Sequence, residues 1–371
     1  MQRVLITGGA GFIGSHLADE LLEKGYEVRV LDCLAPQVHG PERKRPDYLN
    51  SDVELIVDDI RNPAAVKKAV SGVDAVVHFV AIVGVGQSMY DLARYTSVNN
   101  LGTAVLLEAL IERPVEKLLV ASSMSIYGEG LYRGPDGKLY SEVARTLDQL
   151  KASDWEMRTP DGQPLTPVPT PEWKQPALES LYALSKYGQE RMCLMIGRAY
   201  GIPSVGMRFF NAYGPNQALS NPYTGVLAIF ASRLLNDKPP LIFEDGEQQR
   251  DFVSVYDVAR ACRLALETPE ADGQVFNIGS GRQYKVSEVA RKIAKVLDKH
   301  IEPEIAGKYR VGDIRHCFPD ITLARNILKF EPEISLEDGL IDLAAWLDGK
   351  IALDKFSEMR DELASRGLMV G

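Results

Sequence analysis

The order of elements predicts an α/β protein, a doubly wound parallel sheet that carries a smaller mixed α/β substrate domain. Three observations predict it. Over the first half of the chain short β-rich runs alternate with helical patterns, as in a parallel sheet with crossover helices. The runs VLIT, VRVL, AVVH and LLVA are continuously apolar, as strands buried on both faces must be. A glycine-rich turn joins the first run to the first helical pattern.

Taken in order, strands are predicted at Val4–Thr7, Val28–Leu31, Glu54–Val57, Ala75–His78 and Leu118–Ala121. Helical patterns lie between them at Phe12–Lys24, Ala64–Val70 and Ser97–Ile111. From 129 to 176 proline, glycine and charged residues become frequent and no period survives, so an insertion or long loop is expected. It contains an internal echo, Arg133-Gly-Pro-Asp-Gly137 and Arg158-Thr-Pro-Asp-Gly162, that resembles the paired knuckles of a zinc ribbon. The sulfur ligands are absent, so no metal is expected there. A helix follows at Leu181–Tyr200 and a strand at Ser204–Arg208, then helices at Val286–Leu297 and Glu337–Trp346. In the tail Phe356, Met359 and Leu363 recur at helical spacing, which predicts a helix packed on the body or on a second subunit. The expected division is a dinucleotide domain over residues 1–205, with the insertion at 129–176 and a return at 254–277. A substrate domain is expected over 206–253 and 278–350, and a helical tail over 351–371.

Bulk properties narrow the function. A formal net charge of −9 argues against nucleic acid as a general partner, because phosphate backbones select basic surfaces. The four cysteines, Cys33, Cys193, Cys262 and Cys317, are scattered with no C-x-x-C pair, which fits reduced thiols rather than a disulfide framework. The first residues show no basic segment followed by an apolar one, and the apolar stretch around Val73–Val85 is broken by Asp74, His78 and Gly84. A soluble, cytoplasmic protein without a membrane partner is expected.

The turn Thr7-Gly-Gly-Ala-Gly-Phe-Ile-Gly14 follows a strand and opens a helix, the context in which such a motif holds a pyrophosphate. Its glycines let the backbone approach the phosphates, and the helix N-terminus offers free N–H groups and partial positive charge. After the second strand Asp32 is placed to accept hydrogen bonds from both ribose hydroxyls of an adenosine, and its charge repels a 2′-phosphate. The expected cofactor is therefore NAD, in a Rossmann-type domain. Asp59 and Ile60, after the third strand, are expected near the adenine.

Tyr182-Ala-Leu-Ser-Lys186 begins a helical pattern, and residues four apart share a face. A lysine ammonium beside a tyrosine favours the phenolate and makes a general base for a hydroxyl. Ala121-Ser-Ser-Met-Ser-Ile-Tyr-Gly128 stands at the carboxyl end of a predicted parallel strand, the edge where ligands bind in such sheets.

With these features the chain resembles the extended short-chain dehydrogenase/reductases of the sugar-nucleotide epimerase and dehydratase group. Also carrying the likeness are His78-Phe-Val-Ala81, Val98-Asn99 with Gly102-Thr103, and Arg208-Phe-Phe-Asn-Ala-Tyr-Gly-Pro215. Arg250-Asp-Phe-Val253, Asp257-Val-Ala259 and Asn277-Ile-Gly-Ser-Gly281 add to it. The resemblance implies catalysis by Ser123, Tyr182 and Lys186. It implies cofactor contacts from Gly8, Gly11, Phe12, Ile13, Asp32, Asp59, Ile60, Val80, Ala81 and Asn99, besides Tyr182 and Lys186, with Asn99 also supporting the helix that carries the active site. Substrate contacts are implied from Ser88, Ser123, Met124, Ser125, Asn211, Leu227, Phe243 and Arg250. Among them Asn211 and Arg250 would hold a diphosphate, while Leu227 and Leu241–Phe243 would flank the base. Arg310 and Asp313 stand where the group places a further phosphate contact and a ribose contact. A homodimer built on the helices 97–111 and 181–200 is expected on the same ground.

Members of the group share one first step, oxidation at C4 of the sugar, after which their reactions diverge. Dehydratases of the group carry an acid and a base next to the serine, and decarboxylases a glutamate; here Met124 and Ser125 follow Ser123. A pocket without those carboxylates is expected to return the hydride to the other face, which is 4-epimerisation. Gly84-Val-Gly-Gln-Ser-Met-Tyr90, the 129–176 insertion and Gln217-Ala-Leu-Ser-Asn-Pro-Tyr-Thr-Gly225 resemble the group's dTDP-L-rhamnose 4-epimerases. Interconversion of dTDP-L-rhamnose and dTDP-6-deoxy-L-talose is therefore expected, with a UDP-hexose 4-epimerase as the nearest alternative. A dehydratase or decarboxylase follows, and a non-catalytic NAD sensor last, since sensors of this fold commonly lose the Tyr or the Lys.

Overall fold

The computed structural model describes residues 2–221, 223, 225–350, 352 and 354–370. Met1, Pro222, Thr224, Ile351, Leu353 and Gly371 lie outside the described residues, so the 217–225 segment and the tail are described in part. Seven strands form the central sheet: β1 (Arg3–Thr7), β2 (Glu27–Asp32), β3 (Glu54–Val57), β4 (Ala75–His78), β5 (Lys117–Ser123), β6 (Ser204–Phe209) and β7 (Val275–Ile278). Their spatial order is β3-β2-β1-β4-β5-β6-β7, and every pair is parallel. The order reverses at β1, whose Thr7 lies between Leu31 and His78 in register. A crevice opens at such a reversal, outside the carboxyl ends of the strands.

The main helices are α1 (Phe12–Glu23), α2 (Pro63–Ala69), α3 (Gly102–Glu112), α4 (Leu181–Tyr200), α5 (Val226–Leu235), α6 (Val255–Glu267), α7 (Val286–Val296), α8 (Leu336–Leu347) and α9 (Phe356–Ser365). One face of the sheet is covered by α1 and α6, through Leu17, Leu21, Val258 and Cys262. The other is covered by α2, α3 and α4, through Val66, Leu106, Leu110 and Cys193. This two-sided cover is why the strands read as unbroken apolar runs. Helices α5, α7 and α8 share a separate core, in which Phe230, Leu234, Ile293, Leu340 and Leu343 are buried. From this packing we propose the two-domain division given above.

The structure departs from the expected elements in three places. The predicted helix 97–111 begins as a wide π-type turn, Thr96–Leu101, before α3 takes over. The 129–176 segment is not a featureless loop: Leu131–Arg133 pairs antiparallel with both Leu139–Tyr140 and Thr166–Val168, and a short helix spans Leu147–Lys151. Pairing over such separations leaves no local period to read. The two echo motifs adopt matching turns, with Arg133 Nη1 donating to Gly137 O at 3.3 Å and Arg158 Nη1 to Gly162 O at 3.2 Å. Between them Tyr132, Met157 and Leu165 form a small apolar core. The tail, finally, is helical only over α9; Met369–Val370 is a strand paired antiparallel with Tyr309–Arg310.

Candidate active site

A cavity of about 680 Å³ runs along the carboxyl edge of the sheet into the cleft below α5. Its walls gather residues that are far apart in the chain, from the glycine turn to Phe356 of α9. Of the residues singled out from the sequence, Gly8, Gly11, Phe12, Ile13, Asp32, Asp59, Ile60, Val80, Ala81, Ser123, Met124, Ser125, Tyr182, Lys186, Asn211, Leu227, Phe243, Arg250, Arg310 and Asp313 all line it.

Ser88 and Asn99 do not, and both expectations are corrected. The Ser88 hydroxyl is fully buried and donates to Val85 O at 2.6 Å, closing the short helix Val85–Ser88. Asn99 is equally buried. Its Oδ1 accepts from Ile82 N–H at 2.8 Å, and its Nδ2 donates to Ser185 Oγ at 2.9 Å, which in turn donates to Tyr182 O. Asn99 thus ties the loop after β4 to the first turn of α4, the support of the active-site helix that the resemblance implies.

The glycine turn fits a pyrophosphate. Gly11 is the N-cap residue of α1 and offers no side-chain cap, so the N–H groups of the first turn are left for a ligand. A Cβ at Gly11 would meet only Gly8 O, at 3.3 Å, and would otherwise stand in the cavity. Asp32 closes the adenosine end. Its Oδ1 accepts from Leu34 N–H at 2.9 Å and its Oδ2 from Ala10 N–H at 3.1 Å, leaving each oxygen a further lone pair for a ribose hydroxyl. Burial raises its pKa, opposed by those N–H groups. The Asp59 carboxylate is clamped by Arg61, which holds its pKa below the usual range, so the adenine pocket receives its wall and backbone more than a free charge. Substituting Gly11→Val is expected to leave the fold intact, since φ −78° suits any residue. NAD content of the purified protein should fall at least tenfold; equal NAD content would show that the dinucleotide does not cross Gly11.

At the reacting end Ser123 terminates β5 and caps the short 3₁₀ turn Met124–Tyr127, its Oγ accepting from Ser125 N–H at 3.1 Å. The same Oγ is hydrogen-bonded to the Tyr182 hydroxyl, which lowers the tyrosine's pKa, although burial, the larger effect, raises it. Ser180 caps α4 by accepting from Ala183 N–H at 3.1 Å, so Tyr182 sits in a rigid first turn. Lys186, one turn on, is buried, and burial pulls its pKa down to about 7. Its ammonium donates to Gln189 Oε1 at 2.7 Å. Gln189 Nε2 then reaches Thr103 Oγ1 and Val80 O, both at 3.0 Å. His78, held neutral by burial with its pKa lowered to about 3, lies between Thr7 Oγ1 at 2.7 Å and Thr103 Oγ1 at 2.8 Å. Sequence reasoning missed this chain; its one signal was Gln189, three residues after Lys186 on the same helix face. The Ser122 hydroxyl, 3% exposed, has no hydrogen-bond partner on the cavity wall. A buried orphan of that kind is one that a bound ligand satisfies.

Toward the far end Asn211 Nδ2 donates to Asp251 O at 2.8 Å. The Arg250 guanidinium donates to Gln249 O and Arg315 O, both at 2.9 Å, and to Ile314 O. Its expected fork toward a diphosphate is thus engaged with main-chain carbonyls, and the residue meets the cavity as a positive charge on its wall. Arg310 and Asp313 pair with one another at 2.6 Å.

Fold and site together define a dinucleotide-dependent enzyme of the short-chain dehydrogenase/reductase class. The chain belongs to the NAD dependent epimerase/dehydratase family, whose profile matches residues 4–148 and 159–279. It is 34% identical to a dTDP-L-rhamnose 4-epimerase of Burkholderia thailandensis, the match covering 93% of this chain and 95% of that one. Among solved structures it is similar to the UDP-glucose 4-epimerase of Thermotoga maritima with UDP-glucose. That match has a TM-score of 0.77 and 32% identity, over 94% of this chain and 99% of the other. It is also similar to the UDP-glucose 4-epimerase of Thermus thermophilus in complex with NAD, with a TM-score of 0.75 and 30% identity, over 94% and 100%. The protein is an NAD-dependent enzyme of the sugar-nucleotide epimerase type. No helix among the described residues is long and apolar enough to cross a membrane.

Proposed function

We propose that the protein interconverts dTDP-L-rhamnose and dTDP-6-deoxy-L-talose by oxidising and re-reducing C4. The observation that carries the epimerase reading is the identity of the acids on the cavity wall. They are Asp32, Asp58, Asp59 and Asp313; the first ends β2, the next two follow β3, and the fourth is paired with Arg310. Beside Ser123 stand Met124 and Ser125, so nothing there is placed to remove a proton from C5 or to protonate a leaving hydroxyl. Tyr182 as its phenolate takes the proton of the C4 hydroxyl, with Ser123 holding the same oxygen. When the 4-keto sugar has turned in the pocket, Tyr182 gives the proton back to the C4 oxygen; NAD, held by the glycine turn and Asp32, would supply hydride acceptance and return at C4, so that none is consumed.

The dTDP-6-deoxy sugar is favoured over a UDP-hexose by the 84–90 and 217–225 segments and by the likeness to the Burkholderia enzyme. Purified protein incubated with each nucleotide sugar should convert the dTDP-6-deoxy sugar, as read by chromatographic separation of the two epimers. Turnover of UDP-glucose with none of any 6-deoxy sugar would assign the other substrate. We also propose that the protein is a homodimer, paired through the helices that carry the site. Leu101, Leu184 and Met195 are 53%, 51% and 60% exposed there, an apolar surface that a second copy would cover.

A further inference from the structure

The tail contacts both sides of the cleft. At its start Asp354 is held by Lys238 at 2.9 Å and caps Phe356 N–H at 3.1 Å. Phe356 turns its ring to the cavity wall, 6.4 Å from that of Phe243 and inclined to it by 41°. The Arg233 guanidinium lies over the outer Phe356 ring at 5.1 Å, and that of Arg310 over Phe243 at 5.4 Å. Met359 and Leu363 bury α9 against Leu241 and its neighbours. Leu363 also reaches across to Gly86 on the loop after β4, where a Cβ would meet its side chain at 3.4 Å. Arg366 covers the ring of Tyr90, 4.3 Å from its centroid. Past α9, Arg310 pairs with Met369, and Val311 N–H donates to Leu368 O at 3.1 Å. The strand that carries Arg310 is therefore ordered by the tail.

We infer that the tail is a working part of the substrate site: Phe356 packs on Phe243 and holds that ring on the wall of the nucleobase pocket, and the Met369 strand positions Arg310. This rests on the nucleotide-sugar reading above and adds a positioning residue to it. With centroids 6.4 Å apart and planes inclined by 41°, the two rings are in contact and leave no gap for a base between them. Phe243, the less buried of the two, is the ring that a base meets, and an aromatic face takes a base by stacking. The rest of the cavity is accounted for by the cofactor turn and the Ser123–Tyr182 end, which leaves this end for the base.

Binding of dTDP and of UDP to the NAD-loaded protein tests the inference by calorimetry, without requiring any sugar to react. Phe356→Ala, which frees the Phe243 ring, should raise Kd for dTDP several-fold, up to roughly 10-fold, part of the worth of one base–aromatic stack. Phe356→Leu, which keeps an apolar side chain against Phe243, should retain most of the affinity, and Phe243→Ala should weaken binding at least as much as Phe356→Ala. Leu363→Asp, which unseats α9 from Gly86, should weaken both nucleotides while NAD content, a check on folding, stays unchanged. An unchanged Kd in Phe356→Ala and Leu363→Asp, with NAD still bound, would overturn the tail's role. A wild-type protein that binds neither nucleotide would overturn the nucleotide-sugar reading itself, and the control separates the two failures.

Discussion

Tyr182→Phe is expected to lower the rate of epimerisation by about 10²–10⁴-fold, the usual worth of a positioned acid/base group, while NAD remains bound. The ring stays in place because Ser180 caps the first turn of α4 and Asn99 grips Ser185. Only the hydroxyl, the atom hydrogen-bonded to Ser123, is removed. Burial pushes the two partners of the pair in unhelpful directions, Tyr182 up and Lys186 down to about 7. The ligand-free pocket therefore favours a neutral tyrosine, and positive charge must be added to draw out the phenolate. Oxidised nicotinamide carries such a charge. The Lys186 charge is present below about pH 7 in the ligand-free protein and is lost above it. The assay is single-turnover formation of the C4 epimer from substrate added to NAD-loaded enzyme, with cofactor content measured on the same sample. A variant that kept full activity would remove Tyr182 from the chemistry.

How much of this was open to sequence reasoning depends on how local the cause is. Strands β3 and β4 and helix α4 have the predicted bounds, because buried apolar runs, a serine cap and Gly201 in the left-handed region at the helix end are all local signals. The cavity was legible where a motif puts its residues at a strand end, as for Gly11, Asp32 and Ser123. It failed for Ser88, since a small polar side chain near a site can serve the backbone as readily as the ligand, and only the fold decides; Asn99 stands off the cavity wall but supports α4, as the resemblance implies. The 129–176 segment was read as loop because its three strands pair over separations that leave no period. The apolar spacing of the tail announced a helix, but not that Phe356 reaches the cavity; the partner, Phe243, lies more than a hundred residues earlier. Gln189 belongs to no motif; its i+3 spacing puts it on the face of Lys186, but its links onward to Thr103 and Val80 follow only from the packing of α4.

The same non-local logic makes Arg315 a sensitive position for stability. Its side chain is fully buried. The guanidinium donates to Glu244 at 2.8 Å, to Asp245 at 2.6 Å and to Glu156, while Arg145 meets Glu244 at 2.7 Å. Glu129 accepts from Arg315 N–H at 2.7 Å. Two arginines thus hold the insertion, through Glu129 and Glu156, to the loop that begins at Glu244. Arg315→Met keeps an unbranched side chain but leaves the buried Glu244 with Arg145 alone and takes the cation from the half-exposed Glu156 and Asp245. The expected cost is about 1–3 kcal/mol, as for hydrogen bonds to charged groups lost from one side. Because Arg250 donates to Ile314 O and Arg315 O, the loss should also raise KM more than it lowers kcat. Adding Asp245→Asn to the same chain should cost less than it does in the wild type, since Arg315 is the cation that carboxylate faces; simple additivity of the two effects would deny the coupling. The pH dependence supplies an independent check. Hydrogen bonds from His316 and Arg315 hold the Glu156 pKa down to about 2, below its ordinary 4.5. A group depressed on folding contributes stability above 4.5, and that share is lost as pH falls through 2. His316 Nδ1 accepts from Gln249 N–H, so its ring proton is on Nε2 and points at Glu156. Acid unfolding of Glu156→Gln should therefore be flatter than that of the wild type between those limits, with the difference gone at the acid end. A denaturation series from pH 6 to 2 on both proteins measures it, and parallel curves would take Glu156 out of the network that holds the insertion in place.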